Sequence, residues 1–287
     1  MRVVIVGSSG YIAGFLLREL EKAEKPAGVF RIDRHPGADA FFDLWEAEKF
    51  DYAQLRRGDL IVFTAGISAP DTCAEHFEES WEINVTGTCY FIQRAMEKGC
   101  KVLFFSSDAV FGDNPHKIFT EVSATAPTTP YGKMKKAVED AFFGKASFKS
   151  IRLSYVASAR DKFISYCFQC MRKGKKAEIF HPFYRNVIGV SDVVRVVRFM
   201  MLHWEEYEPG CLNVAGRELV SRIRMADEIN RLFDNRLDYD IVFPDKHFFV
   251  NRPKITQMRS LYSDAYNIMP DNAFTEKMTK ELEGIKL

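Results

Sequence analysis

The chain has 287 residues, 47% of them hydrophobic, enough to bury the core of one large domain or two modest ones. Forty basic against 39 acidic side chains leave a formal charge of +1, so the overall charge points to neither nucleic acid nor a membrane surface. No run approaches the roughly 18 apolar residues that span a bilayer.

The opening "MRVVIVG" passes almost at once into a strand-like run, which predicts a cytoplasmic protein without a signal peptide. Six cysteines scattered through a chain of this size predict reduced thiols rather than a disulfide framework. Cys167 and Cys170 form a C-x-x-C, but no second pair follows at finger-like spacing. They are expected as buried thiols, and no metal site is expected.

In chain order, "RVVIVG" (2–7) is a continuous β-branched strand, and Ile12, Phe15, Leu16, Leu20 and Ala23 then recur at helical spacing over 11–23. "GVFRID" (28–33), "DLIVFTAG" (59–66) and "KVLFFSSD" (101–108) read as further strands. A helix around 75–98 carries Phe77, Trp81, Val85, Thr88, Ile92 and Ala95 between the last two. In "TTPYGKMKKAVED" (128–140), Thr129 can cap a helix, Pro130 suits its first turn, and Met134, Val138, Ala141 and Phe142 share a face. "KSIRLSYV" (149–156) is the next strand.

Strands that are apolar throughout are expected when helices cover both faces of a parallel sheet. The βαβαβ order therefore predicts an α/β fold with a doubly wound parallel sheet. Beyond residue 157 come a helix over 162–174, a loop through "FHPFYRN", a helix over 191–204, a short strand at 211–215 and a helix over 221–234. Mixed elements follow from 235. Lys173, Lys175 and Lys176 read as a solvated helix end.

"VGSSGYIAG" follows the first strand and opens the first helix. Gly7 permits a tight turn, Gly10 lets backbone approach a pyrophosphate, and Ala13 is small enough for helix–strand packing. The loop residues Ser9, Tyr11 and Ile12 complete an expected anion cradle. This is a Rossmann-type signal in its required strand–turn–helix context. Asp33 ends the second strand, where an acid accepts hydrogen bonds from both ribose hydroxyls and repels a 2′-phosphate, so NAD is expected over NADP. Arg34 beside it is the group that would instead suit NADP. Asp43 and Leu44 stand where adenine could be contacted.

These residues, with "TAG" at 64–66, "NVTGT" at 84–88, "FSSDAVFG" at 105–112, "EVSATAP" at 121–127, Tyr131 with Lys135, "RNVIGVSDVV" at 185–194 and "PGCLNVAG" at 209–216, resemble the extended short-chain dehydrogenase/reductase family. Within it the chain is most similar to nucleotide-sugar enzymes of the dTDP-4-dehydrorhamnose reductase type. Y-x-x-x-K alone arises by chance in many helices; eight pieces in order do not.

The resemblance implies that Tyr131 is the catalytic acid/base. Lys135, one turn away, would stabilise its phenolate and hold the nicotinamide ribose, and Ser107 would orient the substrate oxygen. It assigns Thr64, Ala65, Gly66 and Asn84 to the cofactor, although a local bond would equally explain Asn84. Ser107, Asp108, Arg185 and Arg252 fall to a nucleotide-sugar substrate, the two arginines on its diphosphate. Ser106 is expected only to cap the strand end.

Ala109 stands where the related dehydratases place an acid, which disfavours dehydration and leaves a keto-sugar reductase or, alternatively, an epimerase holding NAD. A third alternative is a dinucleotide-binding regulatory subunit without catalysis, as in the β subunit of methionine adenosyltransferase. The family pattern divides the chain into an NAD(P)-binding domain (1–156 and 188–216) and a smaller substrate-binding lobe (157–187 and 217–287). It also implies a homodimer through the helices at 75–98 and 131–143.

Overall fold

The computed structural model describes residues 2–22, 28–270 and 272–287. Its strands are β1 (Val3–Val6), β2 (Val29–Asp33), β3 (Ala40–Phe41), β4 (Leu60–Phe63), β5 (Lys101–Ser107), β6 (Ile118–Phe119), β7 (Phe148–Leu153) and β8 (Val156–Ala157). Then come β9 (Ala177–Phe180), β10 (Tyr184–Asn186), β11 (Ile188–Gly189), β12 (Cys211–Val214), β13 (Leu219–Ser221), β14 (Tyr239–Val242) and β15 (Ile255–Met258). The α-helices are α1 (Tyr11–Glu21), α2 (Pro70–Glu75), α3 (Phe77–Trp81), α4 (Thr88–Glu97), α5 (Pro130–Phe142), α6 (Lys162–Lys173), α7 (Val190–His203), α8 (Arg222–Leu232) and α9 (Phe274–Leu282). Among the described residues no helix is long and apolar enough to cross a membrane.

Seven strands form one parallel sheet in the order β12-β7-β5-β4-β1-β2-β3. Alternate side chains of β1 and β4 feed two cores. Val3, Ile5, Leu60 and Val62 pack with Leu16 and Leu20 of α1 and Val193, Val197 and Met200 of α7. Val4, Val6, Ile61 and Phe63 pack with Phe91 and Ile92 of α4 and Val138 and Phe142 of α5. Each such side chain contributes about 1.5–3 kcal/mol by leaving water, which is why these strands carry no polar face. Ala23, expected on the buried face of the first helix, lies outside the described residues. The sheet order reverses between β1 and β4, and a doubly wound sheet opens its crevice at the carboxyl ends of the strands there.

The helix expected over 75–98 is broken. It starts at Pro70, is interrupted at His76 (φ −119°, ψ 57°), and makes a π-helical turn over Glu82–Gly87 before α4. Gly87 accounts for part of this: a Cβ there would lie 1.9 Å from the Leu44 carbonyl oxygen, so helix and loop touch through backbone. The helix opening at Thr129 forms as expected, with Thr129 Oγ1 accepting from the Gly132 amide at 3.2 Å.

A second sheet, β13-β10-β15-β6, lies over residues that sequence periodicity leaves as loops, "YRN" of β10 among them. Its strands are two to four residues long, too short to show a period. The core beneath it includes Cys167, Phe168 and Met171 of α6, Met225 and Ile229 of α8, and Met278 of α9. Cys167 and Cys170 are buried there, and burial pushes the Cys167 thiol up to about 12. Lys173, the last residue of α6, and Lys175 and Lys176 after it are exposed.

Candidate functional site

Three adjoining cavities form a trough across the carboxyl ends of the large sheet. The first, about 390 Å³, is bounded by Gly7, Ser9, Asp33, Arg34, Asp43 and Leu44. The second, about 290 Å³, shares Gly10 and Thr64–Ile67 with the first and continues to Ser107, Tyr131 and Lys135. The third, about 550 Å³, shares Tyr11, Ser68, Ser107 and Tyr131 with the second and runs on past Asp108, Arg185 and Arg252. Sequence reasoning scattered these residues along the chain; the fold brings them to one trough.

The glycine loop is shaped for an anion. Gly7 has φ +84°, and a Cβ there would lie 2.7 Å from the Ala65 amide nitrogen, while one at Gly10 would lie 3.0 Å from the Gly7 carbonyl oxygen. Gly10 caps α1 without a side-chain bond, so the helix presents its first N–H groups to the trough. Asp33 is held below the usual carboxylate value. Burial alone would raise it, but hydrogen bonds from the Ser9 amide (2.7 Å), the Ser9 hydroxyl (2.9 Å) and the His35 amide (3.0 Å) win. Arg34 is exposed, 3.8 Å from Asp43, which caps the turn after it by accepting from Trp45 N. Tyr11 bonds to Ser158 at 2.5 Å, tying the start of α1 to the segment beyond β8.

Asn84 sits on the π-helical turn and brackets one residue: its Oδ1 accepts from the Ile67 amide at 2.7 Å and its Nδ2 donates to the Ile67 carbonyl at 2.9 Å. It therefore fixes the loop after β4, the local-bond alternative that the sequence leaves open. π turns recur where a helix must spend backbone regularity on such a contact.

Tyr131 and Lys135 leave one face of α5, as their spacing demands. A Cβ at Gly132 would lie 2.3 Å from the Ala109 carbonyl oxygen, so only glycine lets α5 come down on the turn after β5 and set Tyr131 beside Ser107. Lys135 Nζ donates to the Phe105 carbonyl at 2.8 Å and lies 5.7 Å from the centre of the Tyr131 ring. Burial pushes Lys135 down to about 8, against the opposing pull of Cys73 and Glu139.

The sequence predicts that Lys135 lowers the pKa of Tyr131. The structure gives the opposite direction: burial, reinforced by Cys73 and Asp108, raises the phenol well above its ordinary value, while the ammonium is turned to a carbonyl.

Ser107 donates to Asp108 Oδ1 at 3.1 Å and accepts from the Ala109 amide at 3.2 Å. Ser107, not Ser106, caps the strand end. Among the described residues the buried hydroxyls of Ser106 and Ser154 have no hydrogen-bond partner, and both line the middle cavity. Two orphaned buried hydroxyls are costly unless something polar meets them, so the cavity suits a ligand with hydrogen-bonding groups at this end and an anionic centre at the glycine loop.

The profile of the NAD dependent epimerase/dehydratase family matches residues 3–215. The chain belongs to this family. It is 31% identical over 143 residues, 49% of its length, to 46% of the dTDP-4-dehydrorhamnose reductase of Escherichia coli (strain K12). It is 29% identical over 151 residues, 50% of its length, to 45% of the UDP-glucose 4-epimerase of Halalkalibacterium halodurans. The matches span about half the length of these curated relatives. The crystal structure of a dTDP-4-dehydrorhamnose reductase from Clostridium acetobutylicum superposes with a TM-score of 0.84 at 18% identity, covering 99% of both chains. The fold is thus the Rossmann-type fold that the sequence predicts.

The structure also adds groups that sequence reasoning missed. Arg222 and Arg160 line the outer cavity with Tyr155. No motif marks them, because they come from different elements of the lobe. The two arginines predicted for substrate do reach this cavity, but with their guanidiniums engaged. Arg185 donates to the carbonyls of Tyr184 (2.6 Å), Lys254 (3.3 Å) and Pro253 (2.6 Å) and lies 3.4 Å from Asp108. Arg252 pairs with Asp71 and donates to the Phe248 carbonyl at 2.7 Å.

Proposed function

We propose that the chain is an NAD(P)-dependent oxidoreductase that reduces a keto group on a nucleotide-linked sugar, working in the cytoplasm through Tyr131, Lys135 and Ser107. The observation that carries this reading is that the cavity running from the glycine loop and the outer cavity meet at Ser107 and Tyr131. On this reading residues 1–156 and 188–216 hold the dinucleotide, and residues 157–187 and 217–287 cover the sugar nucleotide.

A nicotinamide dinucleotide, when bound, supplies the hydride. Tyr131, whose raised pKa keeps it protonated at neutral pH, donates its O–H proton to the carbonyl oxygen as charge develops there. Ser107, turned off Asp108, gives that oxygen a hydrogen bond. Lys135 holds the ribose and limits the charge left on the phenol. Asp33 on the adenosine ribose favours NAD over NADP through its like charge to a 2′-phosphate.

An epimerase is the second reading. The outer cavity of about 550 Å³ beside Tyr131 gives a keto-sugar room to turn. The chain also works as a homodimer on this proposal, pairing α2–α4 and α5 across a two-fold axis, where Tyr90 stays exposed on α4.

The test is turnover with NADH or NADPH against a panel of 4-keto nucleotide sugars. Tyr131→Phe is expected to lose about 10²–10⁴-fold in turnover while keeping its cofactor affinity. Inversion at C4 of the corresponding 4-hydroxy nucleotide sugars, with NAD bound and no net oxidation, decides for the epimerase. Dinucleotide binding with no turnover on any sugar nucleotide would leave the regulatory reading, and full activity in Tyr131→Phe would overturn the mechanism.

A further inference from the structure

Four arginines reach the outer cavity, but they are not equivalent. Arg185 and Arg252 are spent on carbonyls, Asp108 and Asp71. Arg222 stands differently. Its guanidinium carbon lies 4.3 Å from the ring centre of Tyr155, 4.2 Å from that of Phe163 and 5.2 Å from that of Phe183. Among the described residues it gives one side-chain hydrogen bond, to the Tyr155 hydroxyl at 2.9 Å, and forms no ion pair. A guanidinium has five N–H donors in a fixed plane, so most of them remain open along the edge that the rings do not cover.

Arg160, exposed on the loop before α6, has no side-chain partner among the described residues. The nearby carboxylate, Asp161, is already used. It accepts from the amides of Phe163 (3.0 Å) and Ile164 (3.1 Å) and from the Tyr155 hydroxyl.

With Asp71 and Asp108 each paired to an arginine, the cavity keeps two guanidiniums without a carboxylate of their own. The rings hold the guanidinium by cation–π attraction but do not neutralise its charge, so an anion that reaches its open edge gains charge-assisted hydrogen bonds. Held in place by three rings, Arg222 loses little further freedom on binding one.

We propose that Arg222, assisted by Arg160, is the anion receptor of this cavity and takes the diphosphate of the sugar nucleotide. Arg185 and Arg252 hold the wall together. The assignment rests on the reading of the outer cavity as the substrate site.

The experiment is calorimetric titration of the NAD-saturated protein with UDP and dTDP, and with uridine and thymidine as probes lacking the diphosphate. Arg222→Met fills the aromatic cage with a chain of similar reach and no charge. It is expected to weaken the nucleoside diphosphate that binds by about 10–100-fold, in line with losing charge-assisted hydrogen bonds, and to leave the matching nucleoside and NAD unchanged. Arg160→Ala, which removes an exposed side chain without a partner among the described residues, is expected to weaken the same probe several-fold and serves if Arg222→Met fails to fold.

Equal affinity of the wild type and both variants would overturn the inference while leaving the substrate reading intact. So would an equal loss for diphosphate and nucleoside, which would make Arg222 a wall residue. A wild-type protein that binds NAD but neither diphosphate would bring down the sugar-nucleotide reading itself.

Discussion

Lys135→Met is expected to change stability in a way that depends on pH. Burial in the trough wall takes the ammonium from the ordinary lysine value of 10.5 to about 8. At about 1.4 kcal/mol per pKa unit, that gap corresponds to about 3 kcal/mol. Below pH 8 both folded and unfolded chains carry the proton, and the folded protein bears the whole cost of the buried charge. Between pH 8 and 10.5 the folded protein sheds it first. The unfolded chain then binds more protons, and wild-type stability rises with pH.

Methionine has a similar reach and no charge, so the variant lacks this rise. The difference between variant and wild type should therefore move by about 3 kcal/mol toward the wild type between pH 7 and pH 10.5. Loss of the bond to the Phe105 carbonyl shifts the whole difference by about 0.5–1.5 kcal/mol and leaves its pH dependence alone. Urea unfolding of both proteins at pH 7, 8, 9 and 10 measures it. A difference that stays flat across that range would refute a buried, depressed Lys135, and with it the picture of a site that sacrifices stability to hold a cation under the substrate.

Asp33→Ser should narrow any preference for NAD over NADP, read as the ratio of their dissociation constants; an unchanged ratio would leave Asp33 as no more than the partner of Ser9. Gly87→Ala should destabilise the protein despite the roughly 1 kcal/mol by which alanine favours a helix, because its Cβ would lie 1.9 Å from the Leu44 carbonyl oxygen; a thermal melt at or above the wild-type midpoint would contradict that contact. Light scattering at micromolar concentration should give twice the chain mass, and a monomer would remove the paired-helix arrangement.

What the sequence disclosed was whatever is written in neighbouring residues. Val3–Val6 and Leu60–Phe63 are apolar at every position because helices cover both faces of the sheet, and that density is visible without coordinates. The cap at Thr129, the proline after it and the glycine loop are equally local. Asn84 was visible as a candidate but not its partner, since Ile67 reaches it only through the fold. Arg185 could be read as a ligand because nothing near it in sequence announces the carbonyls of Pro253 and Lys254, nearly seventy positions later, that absorb its donors. Arg222 was invisible for the converse reason: its cage is assembled from Tyr155, Phe163 and Phe183, which belong to separate segments. The raised pKa of Tyr131 likewise follows from burial, which no spacing rule reports.

The strand β6 leaves the chain between β5 and α5, yet it edges the small sheet by pairing with β15, well over a hundred residues downstream. The chain later goes back the other way, supplying β12 to the large sheet after β9–β11 are built. No single cleavage point can release a self-sufficient half. A fragment ending near residue 156 would lack an outer strand of its own sheet and would carry away one that the remainder requires. Tyr11 adds a rivet between the two parts through Ser158. Damage to the outer sheet should accordingly be felt at the glycine loop, and limited proteolysis should yield either the intact chain or small peptides, with no durable large fragment in between.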